Sequence, residues 1–298
     1  MKVVKLLFLF FLPFVLHGQT GNAISDSVLR LDLLFKMGRH TVVIKPMQVN
    51  NEAHQWTTFD SVTNITVTKR LVTPYVKRIV RQHYFSTGQS IIRIDQYFVA
   101  KRLHISAYVF DVYGNIIFRK SITDSIASAN KVLPSLYYVV QSQDKQIISL
   151  VQAMVFKGER VKVSSVVINN QLQITGDQNY MLPFDSELLD MYLPLVNNDG
   201  TVLIFVADKP QSYKLGSALT CYLLAEDAKT TKSVQFEFER KKVNGLNFTL
   251  TGDSLLFTAL FSLESRKKDI VGHLKSGFEM STYNKMPVTE TLYIDPKR

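Results

Sequence analysis

The sequence predicts an all-β, β-propeller-like protein of about five four-stranded units. Three observations support this: its apolar runs consist of strand-favouring residues, few segments hold a helical period, and turn formers recur at a near-constant interval. Runs such as "HTVVIKPM", "LHISAYVF", "IISLVQAMVF", "VKVSSVVI", "TVLIFVA" and "SLLFTALFSL" are rich in Val, Ile, Phe, Tyr and Thr. Several alternate at period two, as half-buried strands do.

Tight turns are expected near Gly38, Gly88, Asp144, Asp199-Gly200 and Gly252-Asp253. They recur every roughly 50 to 56 residues, within reach of the longer propeller repeats. A second set interleaves at about the same period, near Asp60, Gly114, Asn169-Asn170, Asp227 and Gly277. Each unit therefore holds two hairpins. The stretch "LPLVNNDGTVLIFVADKP", residues 193–210, is the first hairpin of one unit, and its Asp-Gly supplies the positive-φ turn. A pair of β-sandwiches is the alternative fold.

From about Leu103 onward the units are built on "YVFDVYGNIIFRKSI", "SQDKQIISLV" and "NNDGTVLIFVADKPQSYKLG". In these units, and in a leader ending Gly-Gln, the chain resembles the secreted β-propeller-like proteins common in Bacteroidota. The resemblance covers roughly the C-terminal two thirds. It implies an envelope or extracellular location and a propeller-like fold, and carries no activity with it. The N-terminal third departs from the pattern, with weaker turns and the polar stretch "NEAHQWTTFDS".

The C-terminal "MPVTETLYIDPKR" carries no strand that obviously returns to pair with the first unit. An open ring would expose strand edges. The expectation is therefore either a propeller incomplete relative to its relatives or a first unit completed by a strand from the other terminus.

The leader "MKVVKLLFLFFLPFVLHGQ" has Lys2 and Lys5 before an apolar run from Leu6 to Leu16, then Gly18. That is the grammar of a secretory signal peptide over residues 1–18. The run is about half of what a spanning helix needs, and no later stretch is long enough, so no transmembrane segment is expected in the mature chain. The mature chain, residues 19–298, reads as a single domain, exported to the periplasm, cell surface or medium. An uncleaved anchor is the competing reading, since Leu16 is a poor residue three before the cut. The single Cys221, in "ALTCYLL", cannot form an internal disulfide and reads as a buried thiol.

Loss of the leader removes two of the lysines behind the formal charge of +10. The remaining excess favours acidic proteins, polysaccharides or anionic surfaces. Export and the spread of the charge argue against nucleic acid. The densest basic run is "KRLVTPYVKRIVRQHY", with Lys69, Arg70, Lys77, Arg78, Arg81 and His83. Its alternation predicts one strand with a charged, solvated face, the alternative being a binding stripe.

Catalytic grammar is sparse. The histidines His17, His40, His54, His83, His104 and His273 show no HxH or HExxH spacing, and no GxSxG, GxGxxG or GxxxxGK[ST] occurs. No metal, catalytic residue or cofactor is expected. "TGDS" at 251–254 reads as a turn, and "NNDG" and "SQDKQ" lack the spaced acids of a calcium loop. Asp185, Glu187 and Asp190 in "PFDSELLD" are the densest acidic cluster and read as a solvated loop. Tyrosines, Tyr137 and Tyr192 foremost, fit either a sugar- or peptide-binding face or the filling between units.

The leading expectation is a non-enzymatic binding or scaffold protein of the cell envelope. It would engage an envelope protein or glycan through Lys69, Arg70, Lys77, Arg78, Arg81, Tyr137 and Tyr192. The alternative is a carbohydrate-active enzyme with carboxylates converging over a central channel.

Overall fold

A computed structural model describes residues 32–46, 53–72, 79–100, 102–127, 136–155, 161–182, 189–208, 217–225, 231–238, 241–263 and 270–293. The leader, Lys77, Arg78, Asp185, Glu187 and Asp227 lie outside the described residues.

Five antiparallel meanders account for the described strands, each running in chain order. Sheet A holds β1 (Leu33–Met37), β2 (His40–Pro46), β3 (Ala53–Asp60) and β4 (Thr66–Val72). Sheet B holds β5 (Ile79–Ser86), β6 (Ile91–Val99), β7 (Arg102–Phe110) and β8 (Ile116–Ala127). Sheet C holds β9 (Tyr138–Gln141), β10 (Ile147–Val155), β11 (Val161–Asn169) and β12 (Ile174–Leu182).

Sheet D has a first strand split into β13 (Leu189–Met191) and β14 (Leu195–Val196), both pairing with β15 (Val202–Asp208), followed by β16 (Ser217–Leu224) and β17 (Lys232–Phe238). Sheet E holds β18 (Lys241–Thr251), β19 (Ser254–Leu263), β20 (Gly272–Glu279) and β21 (Thr289–Leu292). The all-β class and the five propeller-like units agree with the sequence.

All five expected first turns join the first two strands of a unit. Gly38, Gly88, Gly200 and Gly252 have positive φ there, and Lys145 takes that conformation beside Asp144. The second set joins third to fourth strands at Asp60, Gly114 and Asn169-Asn170.

Three expectations need correction. Gly277 lies inside β20, and the turn it was assigned follows at Met280–Thr282. A Cβ on Gly277 would come 2.1 Å from the Leu255 carbonyl oxygen, so close backbone approach requires this glycine. The run "KRLVTPYVKRIVRQHY" is two strands in two sheets: β4 closes sheet A and β5 opens sheet B, with Pro74 between them. Finally, the C-terminal "TETL" forms β21 of its own sheet, while sheet A has four strands from its own segment. The polar "NEAHQWTTFDS" holds β3, with His54, Trp56, Thr58 and Asp60 buried and Gln55 and Phe59 exposed.

The chain divides into two compact units, one of residues 30–242 with sheets A to D, the other including residues 243–298 with most of sheet E. In the larger unit the sheets stack face to face in sequence order. Met37, Val42, Ile44, Trp56 and Leu71 of sheet A pack on Ile91, Tyr108 and Phe110 of sheet B. The opposite face of sheet B, with Ile92, Ile94 and Ile105, packs on Val139, Leu150 and Val166 of sheet C. Val151, Val163 and Leu182 of sheet C then meet Val202, Ile204 and Val206 of sheet D.

First strands approach one another, β1 on β5 and β9 on β14, whereas β4 and β8 lie outermost with long exposed stretches. In sheet E, Leu255, Phe257, Phe261, Leu274 and Phe278 are buried.

A polar tie repeats between neighbouring sheets of the larger unit. A donor on the fourth strand of one reaches a carbonyl in the outer turn of the next. Lys69 Nζ donates to the Gly114 oxygen at 3.3 Å, Lys120 Nζ to the Leu172 oxygen at 2.8 Å, and the Tyr180 hydroxyl to the Ala225 oxygen at 3.0 Å. Between sheets B and C, Gln96 also clamps the Tyr137 backbone, accepting from its N–H and donating to its carbonyl, each at 2.8 Å.

Lys120→Met, which keeps the aliphatic stem, should lower unfolding stability by about 1–2 kcal/mol, as expected for a charge-assisted hydrogen bond. Urea titration checks this. By the same assay Gly277→Ala should cost about 2 kcal/mol or more, because the strands must part.

Candidate functional site

Exposed apolar side chains of sheets A and B gather at the rim carrying the hairpin turns. Val62, Ile65 and Val67 of sheet A and Tyr113, Ile116 and Ile117 of sheet B are 40–68% exposed. The turn at 111–115 brings the two groups together. The Asp111 carboxylate accepts the N–H groups of Tyr113 (2.9 Å) and Asn115 (2.8 Å), closing the turn on itself.

Sheet A then holds this turn from the other side. Trp56 Nε1 donates to the Val112 oxygen at 3.0 Å, the Thr58 hydroxyl donates to it at 2.5 Å, and Lys69 Nζ reaches Asn115 Oδ1 at 2.8 Å. Gly114, with φ +75°, passes so near that a Cβ would sit 3.0 Å from the Trp56 ring. A side chain at this position would push the two sheets apart.

Register sets the walls of the resulting outer groove. Val67 and Lys69 stand opposite Thr58 and Trp56, on the face of β4 turned to sheet B. Ile116 pairs with Phe110 and Arg119 with Tyr108, on the face of β8 turned to sheet A.

Beneath the groove runs a cross-strand row in one register: Tyr84 on β5, Arg93 on β6, Tyr108 on β7 and Arg119 on β8. The Arg93 guanidinium lies 4.6 Å from the Tyr108 ring centroid and the Arg119 guanidinium 5.3 Å from it, so cations flank one ring. Arg93, 1% exposed, pairs with Asp95 at 3.0 Å, and Gln82 donates to Asp95 at 3.1 Å. His54 of sheet A closes the cluster, 5.6 Å from the Tyr84 ring.

Burial governs the electrostatics of this cluster. It raises the Asp95 carboxyl to about 6 despite the opposing pull of Arg93. Burial works against the Arg93 charge, yet Asp95 and the tyrosine hydroxyls hold it above its ordinary value. Burial, then the Arg93 charge, lower His54 to about 4, and burial with Arg81 does the same to His83 on the opposite face of sheet B. Burial also raises the Cys221 thiol, which is unpaired and buried.

Of the described residues singled out in the sequence, only Lys69 stands in this groove. Arg70 is exposed on the other face of β4, so the two do not form one stripe. Arg81 is half-buried on β5. Tyr137 is 3% exposed in the core between sheets B and C, and Tyr192 is half-buried between the halves of the split strand, its N–H donating to the Phe205 oxygen at 2.8 Å. His104 stacks on Tyr97.

Arg93, Asp95 and Arg119 were missed. "IIRIDQ" carried a signal, because opposite charges two apart in an otherwise apolar strand fall on one face. Among the described residues no helix is long and apolar enough to cross a membrane, and no group of three potential metal ligands converges.

No protein-family model and no curated protein matches the chain. Among solved structures it is similar to the polysaccharide lyase Uly1, at 10% identity over 93% of this chain and 74% of that one, with a TM-score of 0.48. The β-propeller domain of the Trilobed protease from Pyrococcus furiosus matches at 11% identity over 90% and 80%, TM-score 0.42. The tricorn protease matches at 10% identity over 89% of this chain, TM-score 0.43, and the chain spans only 27% of that protein. Such distant likeness says nothing about activity.

The shifts predict how stability follows pH. His54 and His83 have depressed values in the fold, so their contribution is complete above pH 6.5 and is lost as pH falls through about 4. Asp95 is raised from 3.8 to about 6 and acts oppositely, its contribution being lost as pH rises through about 6. Each is worth up to about 3 kcal/mol. Two histidines against one aspartate leave a net loss between pH 6.5 and 4. The urea midpoint should fall over that range in the native protein and stay nearly flat in His83→Gln.

Proposed function

We propose that the chain is an exported binding protein of the cell envelope that engages a protein partner through the outer groove between sheets A and B, without catalysis of its own. One observation carries this reading: the apolar side chains from Val62 to Val67 and from Tyr113 to Ile117 share one rim, exposed, beside Lys69 and Arg119. Scattered exposed apolar residues are ordinary on a protein surface. A local group fixed in place by three separate hydrogen-bonded ties, and bordered by cations, is how a partner surface is built. The basic balance of the whole chain favours acidic partners in the same direction.

The reading is tested by cross-linking the tagged protein in its own cells and comparing it with a Val67→Glu, Ile116→Glu double variant that keeps the native circular dichroism. A partner protein recovered with the native chain and lost with the variant is the expected result. Equal recovery from both, recovery of a glycan alone, or an empty result from exported and folded protein would sink it.

A further inference from the structure

We infer that the groove takes an extended, acidic segment of the partner, which adds as a fifth strand of sheet A to the edge of β4 that no described strand covers. This rests on the binding role proposed above and names the class of ligand.

The outermost strands of sheets A to D differ in how their edges are protected. β8 is interrupted by three register shifts against β7, and β12 by one against β11. Such irregularities twist an edge away from further pairing. β4 and β17 pair with their neighbours without a break. Of these two, only β4 carries exposed large apolar side chains, at Val67 and, just before the strand, Ile65.

The usual edge guard, a lysine, is present in β4 but is turned aside. Lys69 reaches across to Gly114 and Asn115 of sheet B and so leaves the edge of its own strand open. No proline interrupts Thr66–Val72, and residues 66–70 are exposed throughout. An added strand therefore finds a regular row of backbone donors and acceptors.

Chemistry along the groove fixes what that strand carries. A side chain set beside Val67 and turned to sheet B meets the apolar group of Tyr113 and Ile116. Two residues along on the same face, a side chain beside Lys69 meets that ammonium, and Arg119 stands on β8, on the face turned to sheet A. A carboxylate fits there, since among the described residues neither cation has an ion-pair partner of its own, and Asp95 beneath is already paired with Arg93 at 3.0 Å. On its other face the strand runs beside Arg70. The segment is thus extended, apolar at one position and acidic two residues away.

Fluorescence anisotropy with labelled ten-residue peptides tests this. The probe repeats Val-Thr-Glu-Thr, so that valine and glutamate alternate along one face of the extended strand, and a Val-Thr-Lys-Thr repeat is the control. Two further probes carry N-methyl groups either on every valine and glutamate or on every threonine, and each blocks one edge of an extended strand. The valine–glutamate peptide should bind and the lysine peptide should not. One methylated peptide should lose at least tenfold in affinity while the other keeps it, and Arg119→Gln should weaken binding about tenfold.

Equal binding of both methylated peptides and the parent, equal binding of the lysine peptide, or no binding of the glutamate peptide overturns the strand proposal. If cross-linking still recovers a partner that the Val67, Ile116 variant loses, only this proposal falls. If that recovery is absent or unchanged as well, the binding role falls with it.

Discussion

A four-stranded meander cannot cover itself, and every other feature of the larger unit follows from that. Each sheet offers two faces, and sheets B and C have both covered by their neighbours. Their central strands are apolar on both sides: β6 is buried without interruption from Ile91 to Gln96, and β7 from Ile105 to Phe110. Period-two alternation is clear in the outer strands β12 and β17. A polar group placed on a central strand has no route to water and must be answered by another polar group inside the stack. Asp95 and the Tyr108 ring answer Arg93, and the Tyr137 backbone answers Gln96.

The same constraint explains the ties between sheets. Apolar faces slide, because burial is non-directional. The donors Lys69, Lys120 and Tyr180 each fix one sheet's outer edge to the turn of the next, which sets the stagger of the stack. Those turns have to present a carbonyl at a defined place. They do so through side-chain caps at Asp111 and Asn169 and a positive φ at Gly114 and Leu172. Rigidity at this rim is therefore a product of sheet stacking, and the apolar group between Val62 and Ile117 inherits it.

Turns were legible in the sequence because they depend on local chemistry: glycine for positive φ, aspartate and asparagine for caps. Gly277 misled for the same reason, since the sequence cannot tell a glycine that turns from one that lets two strands approach. The basic run misled because residue alternation continued across Pro74 while the chain passed from one sheet to the next. The groove was not legible at all. Lys69, Ile116 and Arg119 lie far apart in the chain and meet only through the stacking of two sheets. Leu172, an apolar residue at positive φ whose carbonyl receives Lys120, gave no signal either.

Charge shows most clearly how stacking converts composition into a directed surface. The excess of basic residues is spread along the chain and suggests only a diffuse attraction to acidic partners. In sheet A, however, both described acids are engaged: Asp32 lies 3.2 Å from Lys45, and Asp60 pairs with Arg39 while its carboxylate caps the N–H of Val62. In sheet B, Asp95 is drawn inward by Arg93 and Asp111 closes its own turn. Apart from the surface pair Asp32–Lys45, these carboxylates serve the interior and the turns, and among the described residues the outer strands β4 and β8 keep the cations Lys69, Arg70, Arg119 and Lys120. Because Lys69 and Arg119 are also held, one by a turn and the other by an aromatic ring, an arriving carboxylate finds them at fixed positions, with little side-chain freedom left to lose.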